Sequence, residues 1–202
     1  MLPSSPPRRT LFCTPTLRAR ELDASDLPAL QTLFVANPEY FIAVNGMPAR
    51  DDEAQQEFAD RPPPSMPYDR QIMIGLHDDT GQLVAMATVV SNLLAAQVWH
   101  IGLFIVATSL HGSGLASLIY QSLEQWMKAQ GAQWIRLGAV VGNLRAERFW
   151  EKMGYTEVRQ RTDVPSGRQT NTLRVMVKPV GVRSLAQYLD LVARDRPDAG
   201  QA

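Results

Sequence analysis

The stretch Leu103-Phe104-Ile105-Val106-Ala107-Thr108-Ser109-Leu110-His111-Gly112-Ser113-Gly114-Leu115-Ala116-Ser117 decides the fold. Its beginning closes an apolar run that starts at Val98, a pattern expected of a strand covered on both faces. Its end opens an amphipathic helix, expected from about Gly112 to Ala129, with Leu115, Leu118, Ile119, Leu123, Trp126 and Met127 on one face and Gly131 as its stop. Between strand and helix, Gly112 and Gly114 admit backbone angles closed to other residues and let a ligand approach the main chain. The unpaired N–H groups and the positive dipole end of a helix start suit a pyrophosphate. A tight turn that only admits the helix is an equal reading of the loop taken alone. Two other motifs fail on spacing. A dinucleotide fingerprint needs Gly or Ala at Ser117 and an acid after the next strand, which instead runs into Val140-Val141-Gly142. A nucleophile elbow centred on Ser113 needs glycines where His111 and Leu115 stand.

Working outward, Trp134–Val140 reads as a second buried strand. Asn143 is a good N-cap for a helix that buries Ala146, Phe149, Trp150 and Met153 before Gly154. Upstream, Gln71–His77 and Leu83–Ser91 form a hairpin about Asp78-Asp79-Thr80-Gly81. Thr16–Leu22 reads as a strand, followed by a helix capped by Ser25 or Asp26 that buries Leu27, Leu30, Leu33 and Phe34. The proline-rich segment Asn37–Arg70 is expected to hold one helical piece, Asp51–Ala59. Downstream, Tyr155–Asp163 and Thr170–Lys178 close as a hairpin around Pro165-Ser166-Gly167, and Leu185, Tyr188, Leu189 and Val192 mark a C-terminal helix with a frayed end from Asp195. This order predicts an α/β fold with a mixed, mostly antiparallel sheet and helices on both faces. The expected division is a flexible tail over residues 1–15, one domain over 16–180, and a C-terminal helix and tail over 181–202.

Composition narrows the function. Of 202 residues, 45% are hydrophobic and 20% charged, ordinary for a globular protein. Twenty basic side chains balance twenty acidic ones, so no global field favours nucleic acid or an anionic membrane. The longest apolar runs fall short of a membrane span. Cys13 alone makes no disulfide, and with His77, His100 and His111 it offers no metal site. Met1–Thr10, rich in Pro and Ser, does not read as a signal peptide, so a cytoplasmic protein is expected.

His111-Gly112-Ser113-Gly114-Leu115-Ala116 resembles the Arg/Gln-x-x-Gly-x-Gly/Ala signature of the GNAT (Gcn5-related N-acetyltransferase) family, with histidine at its first position. Asn143-Leu144-Arg145-Ala146-Glu147-Arg148-Phe149-Trp150-Glu151-Lys152-Met153-Gly154-Tyr155 is similar to the family's Asn-x-x-Ala-x-x-Phe-Tyr-x-x-x-Gly-Phe. The resemblance implies a GNAT-like fold in which a splayed strand pair forms the coenzyme A cleft, with acetyl-CoA as co-substrate. It implies that the backbone of Phe104, Ile105 and Val106 pairs with the pantetheine arm. His111 through Ala116 would hold the pyrophosphate, Asn143 would bond the pantetheine or only cap its helix, and Ala146, Phe149 and Trp150 would complete the wall. The family often has a tyrosine as proton donor to the thiolate where Trp150 stands. An indole cannot release a proton at neutral pH, so either water or another tyrosine (Tyr155, Tyr40 or Tyr68, each also readable as a packing residue) protonates the thiolate, or the protein does not catalyse the reaction.

The implied activity is acetyl transfer to a primary amine by direct attack, the acceptor being a small molecule or a peptide. A catalytically degenerate acetyl-CoA-binding module is the alternative. His100, on the strand where the histone-acetylating branch places its glutamate base, is the candidate general base, and Glu39 stands next. Period-2 alternation puts His100 on the face of Gly102, Phe104 and Val106, opposite Trp99, Ile101 and Leu103. Between Asn37 and Arg70, seven acids (Glu39, Asp51, Asp52, Glu53, Glu57, Asp60, Asp69) face three arginines, which reads as a solvated helix face or an acidic wall for a cationic amine. The C-terminal helix offers a surface for a homodimer.

Overall fold

A computed structural model describes residues 9–200. Along the chain run β1 (Thr10–Cys13), β2 (Arg18–Glu21), α1 (Leu27–Val35), α2 (Pro38–Asn45), α3 (Glu53–Ala59), β3 (Arg70–His77), β4 (Leu83–Ser91) and β5 (Val98–Val106). There follow α4 (Leu115–Ala129), β6 (Trp134–Val140), α5 (Leu144–Lys152), β7 (Thr156–Ser166), β8 (Gln169–Pro179) and α6 (Leu185–Leu191). The strands form one sheet in the order β1-β2-β3-β4-β5-β6-β8-β7. All neighbours are antiparallel except β5 and β6. That parallel step follows from its crossover through α4. Among the described residues no helix is long and apolar enough to cross a membrane.

Both faces are covered. On one, Ile119, Tyr120, Leu123 and Met127 of α4 and Trp150 of α5 pack on Ala85, Ala87, Val89, Ile101 and Leu137. On the other, Leu30, Leu33 and Phe34 of α1 pack with Phe41 of α2 on Met86, Leu103 and Ile105. Tyr188 of α6 and Val192 cover Val98, Trp134, Val175 and Val177 farther along that second face. The stretch between these two coverings stays open.

Four features depart from the sequence reading. Thr10–Cys13, expected as tail, pairs with β2 as an edge strand, while residues 1–8 lie outside the described residues. The segment after Asn37 contains a second helix, α2. Proline at its first position is compatible with helix because that N–H has no helical partner. The C-terminal carbonyls of α2 are taken by side chains of the β7–β8 hairpin: Gln169 donates to Ala43 and Val44 at 3.0 and 2.8 Å, and Asn171 donates to Val44 at 2.8 Å.

The third departure is in β5. Thr88 is paired with Leu103 and Val89 with Ile101, so Gly102 is an extra residue, a β-bulge. The bulge breaks the alternation. His100 therefore shares its face with Leu103 and Ile105, not with Phe104 and Val106, which turn toward α4 and α5 with Ile101.

The fourth departure is Asp195, expected in a frayed end. It is fully buried and holds Arg136 of β6 through Oδ2 to Nε at 2.7 Å and Oδ1 to Nη2 at 3.2 Å. Tyr188 donates its hydroxyl to the same carboxylate at 2.5 Å. Burial pushes the Asp195 carboxyl upward, but the Arg136 hydrogen bonds and charge outweigh it and leave it below the ordinary aspartate value. A carboxylate depressed in the folded state contributes stability above its unfolded pKa, lost as pH falls through the folded one. Asp195→Asn leaves a buried guanidinium without its counter-charge and is expected to cost about 3–5 kcal/mol at neutral pH. Urea denaturation at pH 7 measures this, and an unchanged midpoint contradicts it.

Candidate functional site

The bulge at Gly102 coincides with the point where the sheet opens. β5 and β6 pair only over Val98–Ile101 and Trp134–Leu137, although β5 continues to Val106 and β6 to Val140. A cleft of about 1030 Å³ occupies the gap and runs from the loop before α4 to the open part of the second face. Ala107 N–H donates to Val84 across the β4 pair, so by alternation the main-chain groups of Ile105 and Leu103 bond β4. Those of Phe104 and Val106 face the gap. Ile105, expected among the pairing residues, therefore offers its backbone to β4 and its side chain to the core.

At the upper end, Gly112 and Gly114 adopt φ of +79° and +82°, the left-handed region where a β-carbon is disfavoured. Among the described residues the main-chain N–H groups of Gly112, Ser113, Gly114 and Ala116 have no protein acceptor. The Ser113 hydroxyl donates to Leu110 at 2.6 Å and accepts from the Leu115 N–H at 3.3 Å, so Leu115 offers no unpaired amide and its side chain packs against the core. His111 does not face an anion with its ring. Arg145 can only donate, so at 2.8 Å the His111 Nδ1 accepts, and Nε2 carries the proton given to the Val106 carbonyl at 2.9 Å. The other guanidinium nitrogen of Arg145 holds Glu39 at 2.9 Å. Arg145 thus sets a cation beside the loop, a feature the motif alignment contained without marking it.

Ala146, Phe149 and Trp150 of α5 line the cleft. Phe149 stacks on Phe104 with centroids 5.9 Å apart, and Trp150 meets the same ring edge-on at 5.6 Å. Ala146 lines the cleft, and Asn143 Oδ1 accepts from its N–H at 3.2 Å as the helix cap. Tyr155 is elsewhere: it is buried in the core, receiving a hydrogen bond from Tyr120 at 3.1 Å. Tyr40 is the tyrosine that lines the cleft, and burial followed by the charges of Glu57 and Glu53 holds its hydroxyl protonated.

His100 lies in the lower part of the cleft, but as a weak base. Burial and then the Arg136 charge lower its pKa to about 3. The 3.5 Å approach of Arg136 Nη1 to Nδ1 puts the ring proton on Nε2. An imidazole near its ordinary pKa, with an acidic limb at pH 6–7, is therefore not what this environment gives. Glu57 of α3, read in the sequence only as one of several acids, is the better-placed acceptor. It lines the cleft half-buried, and Thr88 donates to its Oε1 at 2.7 Å. Thr88 is the cross-strand partner of Leu103, beside the bulge. Burial raises the Glu57 pKa most, the Thr88 bond opposes this, and the charges of Asp60 and Glu53 add to the rise. Sequence periodicity could not mark it, because only the fold carries α3 over Thr88.

Comparison with known proteins agrees with this geometry. A search of curated proteins finds no match. Among solved structures, an acetyltransferase from Thermus thermophilus aligns with a TM-score of 0.62 at 21% identity, over 81% of this chain and 97% of that one. The ribosomal-protein-S18-alanine N-acetyltransferase from Escherichia coli gives 0.60 at 15% identity, over 84% and 97%. The spermidine N-acetyltransferase from Vibrio cholerae, solved with CoA and spermine, gives 0.59 at 18%, over 81% and 95%. At these identities the likeness is one of fold. A family model described as the acetyltransferase (GNAT) family matches residues 30–155, more than half of the sequence, and the chain therefore belongs to that family of acyltransferases, which move acetyl groups to amines.

Proposed function

We propose that this protein transfers the acetyl group of acetyl-CoA to a primary amine by direct attack, with Glu57 receiving the amine's proton. The observation that carries the reading is the gap between β5 and β6, which joins the unpaired amides of the loop to a half-buried carboxylate. The chain's groups fit the cosubstrate: main-chain donors for a pyrophosphate, the Phe104 and Val106 edge for an extended amide arm, and an aromatic wall. Acetyl-CoA supplies an activated acyl carbon: the amine nitrogen would bond to it, the C–S bond would break, and the departing thiolate would take up, through solvent, the second proton that the nitrogen loses, leaving as CoA thiol. Glu57, ionised, takes a proton from the ammonium, and its raised pKa makes it a stronger acceptor than an ordinary glutamate. Cys13, the thiol of the chain, sits exposed on the edge strand β1, which supports transfer without a covalent enzyme intermediate.

Trp150 favours a second reading, an acetyl-CoA-binding module without turnover, because its indole replaces the family's acid. Release of CoA thiol above background with a panel of amines separates the two. A module binds acetyl-CoA and releases none.

Two variants test the assignment. Gly114→Val puts a branched side chain at the anion-facing turn and is expected to weaken acetyl-CoA binding by about tenfold or more. Calorimetry on a cooperatively unfolding variant reads this, and unchanged affinity contradicts the loop's role. Glu57→Gln is expected to lower kcat/KM by roughly 10²-fold or more while acetyl-CoA affinity stays the same. Since the base works ionised and its pKa is raised, the parent rate should climb with pH through a limb above the ordinary glutamate value. Glu57→Gln should abolish that limb. A limb near pH 3 that vanishes in His100→Gln would return the role to His100.

A further inference from the structure

The last residues to pair between β5 and β6 are Ile101 and Leu137. The next residue on each strand is a glycine, Gly102 and Gly138, and both line the cleft. Among the described residues they are the only exposed positions of their strands. Glycine in a strand interior weakens it, through lost packing and a larger loss of backbone freedom on folding. Neither backbone angle nor crowding demands it here. Both residues lie outside the left-handed region, and a β-carbon at Gly138 would meet only the Leu173 Cδ1, at 3.6 Å, an ordinary van der Waals contact. At Gly102 the nearest atoms would be the Thr88 carbonyl at 3.9 Å and the His100 ring at 4.0 Å. Gly75 of β3 is the opposite case, since a β-carbon there would strike Leu22 at 2.4 Å.

The two missing side chains leave a hollow in the cleft floor. It begins beside Thr88, whose hydroxyl holds Glu57 at 2.7 Å, and ends at Leu173 and Val175 of β8, which also line the cleft. Val175 is the cross-strand partner of Gly138. The far wall is therefore aliphatic. Arg136, the cation on β6, is engaged by Asp195 through two hydrogen bonds, and Arg161, across from Leu173 on β7, has a partner as well. Two strand spacings of about 5 Å each separate Thr88 from Gly138, the reach of a nitrogen joined to a six-membered ring by one or two carbons. Acetyl transfer to a slim alkylamine would leave this hollow unused.

We propose that Gly138, with Gly102, sets acceptor specificity: the acceptor is a primary amine with an apolar, ring-sized body one or two carbons from its nitrogen, and that body lies over the glycine floor against Leu173 and Val175. This rests on the amine acetylation proposed above and names its substrate class. The nitrogen then stands at Glu57, beside the bulge. An acceptor carrying a second charge at that distance would press it against the aliphatic wall, where a charge loses hydration without gaining a partner.

The test compares benzylamine, 2-phenylethylamine and cyclohexylmethylamine with propylamine and 1,3-diaminopropane, by calorimetry on the CoA-loaded protein and by thiol release from acetyl-CoA. At least one ring amine should exceed propylamine about tenfold or more in affinity and in kcat/KM. Gly138→Val fills the hollow and should cut that ratio about tenfold or more, with Gly138→Ala a smaller step in the same direction. Gly138→Ala takes up the strand backbone without strain and should unfold at the same urea concentration as the parent or higher, whereas a glycine kept only for structure would lose stability on this change. Ring amines no better than propylamine, or a Gly138→Val variant that weakens ring and slim amines equally, would overturn the proposal. So would a Gly138→Val variant that keeps the amine ratio and instead shifts the preference among acetyl-, propionyl- and butyryl-CoA, because the hollow would then hold the acyl group. Should Gly138→Val fail to fold, the ratio in Gly138→Ala decides. Ring-amine binding that Gly138→Val erases, with no thiol release from any amine, keeps the hollow and removes the transferase. Thiol release without a ring preference keeps the transferase and removes the hollow's role.

Discussion

Four residues of parallel pairing, Val98–Ile101 on Trp134–Leu137, join the two halves of the sheet. Beyond them the bulge at Gly102 re-aims β5, and the main-chain groups that a continuous sheet would have used face a gap. Buried backbone donors and acceptors demand partners. One is met internally, by His111 reaching the Val106 carbonyl. The others fit the proposed extended arm of the cosubstrate, which would complete the ladder as an added strand. The bulge also turns Phe104 toward Phe149 and Trp150, so one inserted residue creates both the polar edge and the aromatic wall.

A split sheet needs its halves fixed from outside. The hairpin side chains Gln169 and Asn171 hold the end of α2, tying the β7–β8 half to the helical cover of the other half. Thr108 donates to the buried Asn37 side chain through both N–H and hydroxyl at 2.8 Å, anchoring the loop after β5 to the end of α1. Below, Asp195 fixes Arg136 next to His100. Burial first, and then the guanidinium held beside the ring, account for the weak basicity of His100, with the Asp195 charge opposing them. The electrostatics of the cleft thus follow from residues that look structural.

The parts of this fold legible in the sequence are those written in local pattern. Apolar runs marked β4, β5 and β6, the i, i+3, i+4 spacing marked α4, and Asn143 marked the start of α5. The two signatures located the loop and the aromatic wall. What escaped was set by tertiary position. A single inserted residue reversed the face of His100, and no composition rule distinguishes Gly102 from an ordinary strand glycine. Glu57 looked like its solvated neighbours until α3 was laid over Thr88. Asp195 acquired meaning only when the C-terminal turn was brought to β6, from a segment read as frayed.

Amide hydrogen exchange on the full chain, with and without acetyl-CoA, tests most directly whether the split sheet is the ligand's ladder. The account predicts slowed exchange at Phe104 and Val106 and at the loop amides of Gly112, Ser113, Gly114 and Ala116. Ile105, already bonded to β4, should change little. Uniform protection along β5, or protection confined to residues away from the gap, would contradict it.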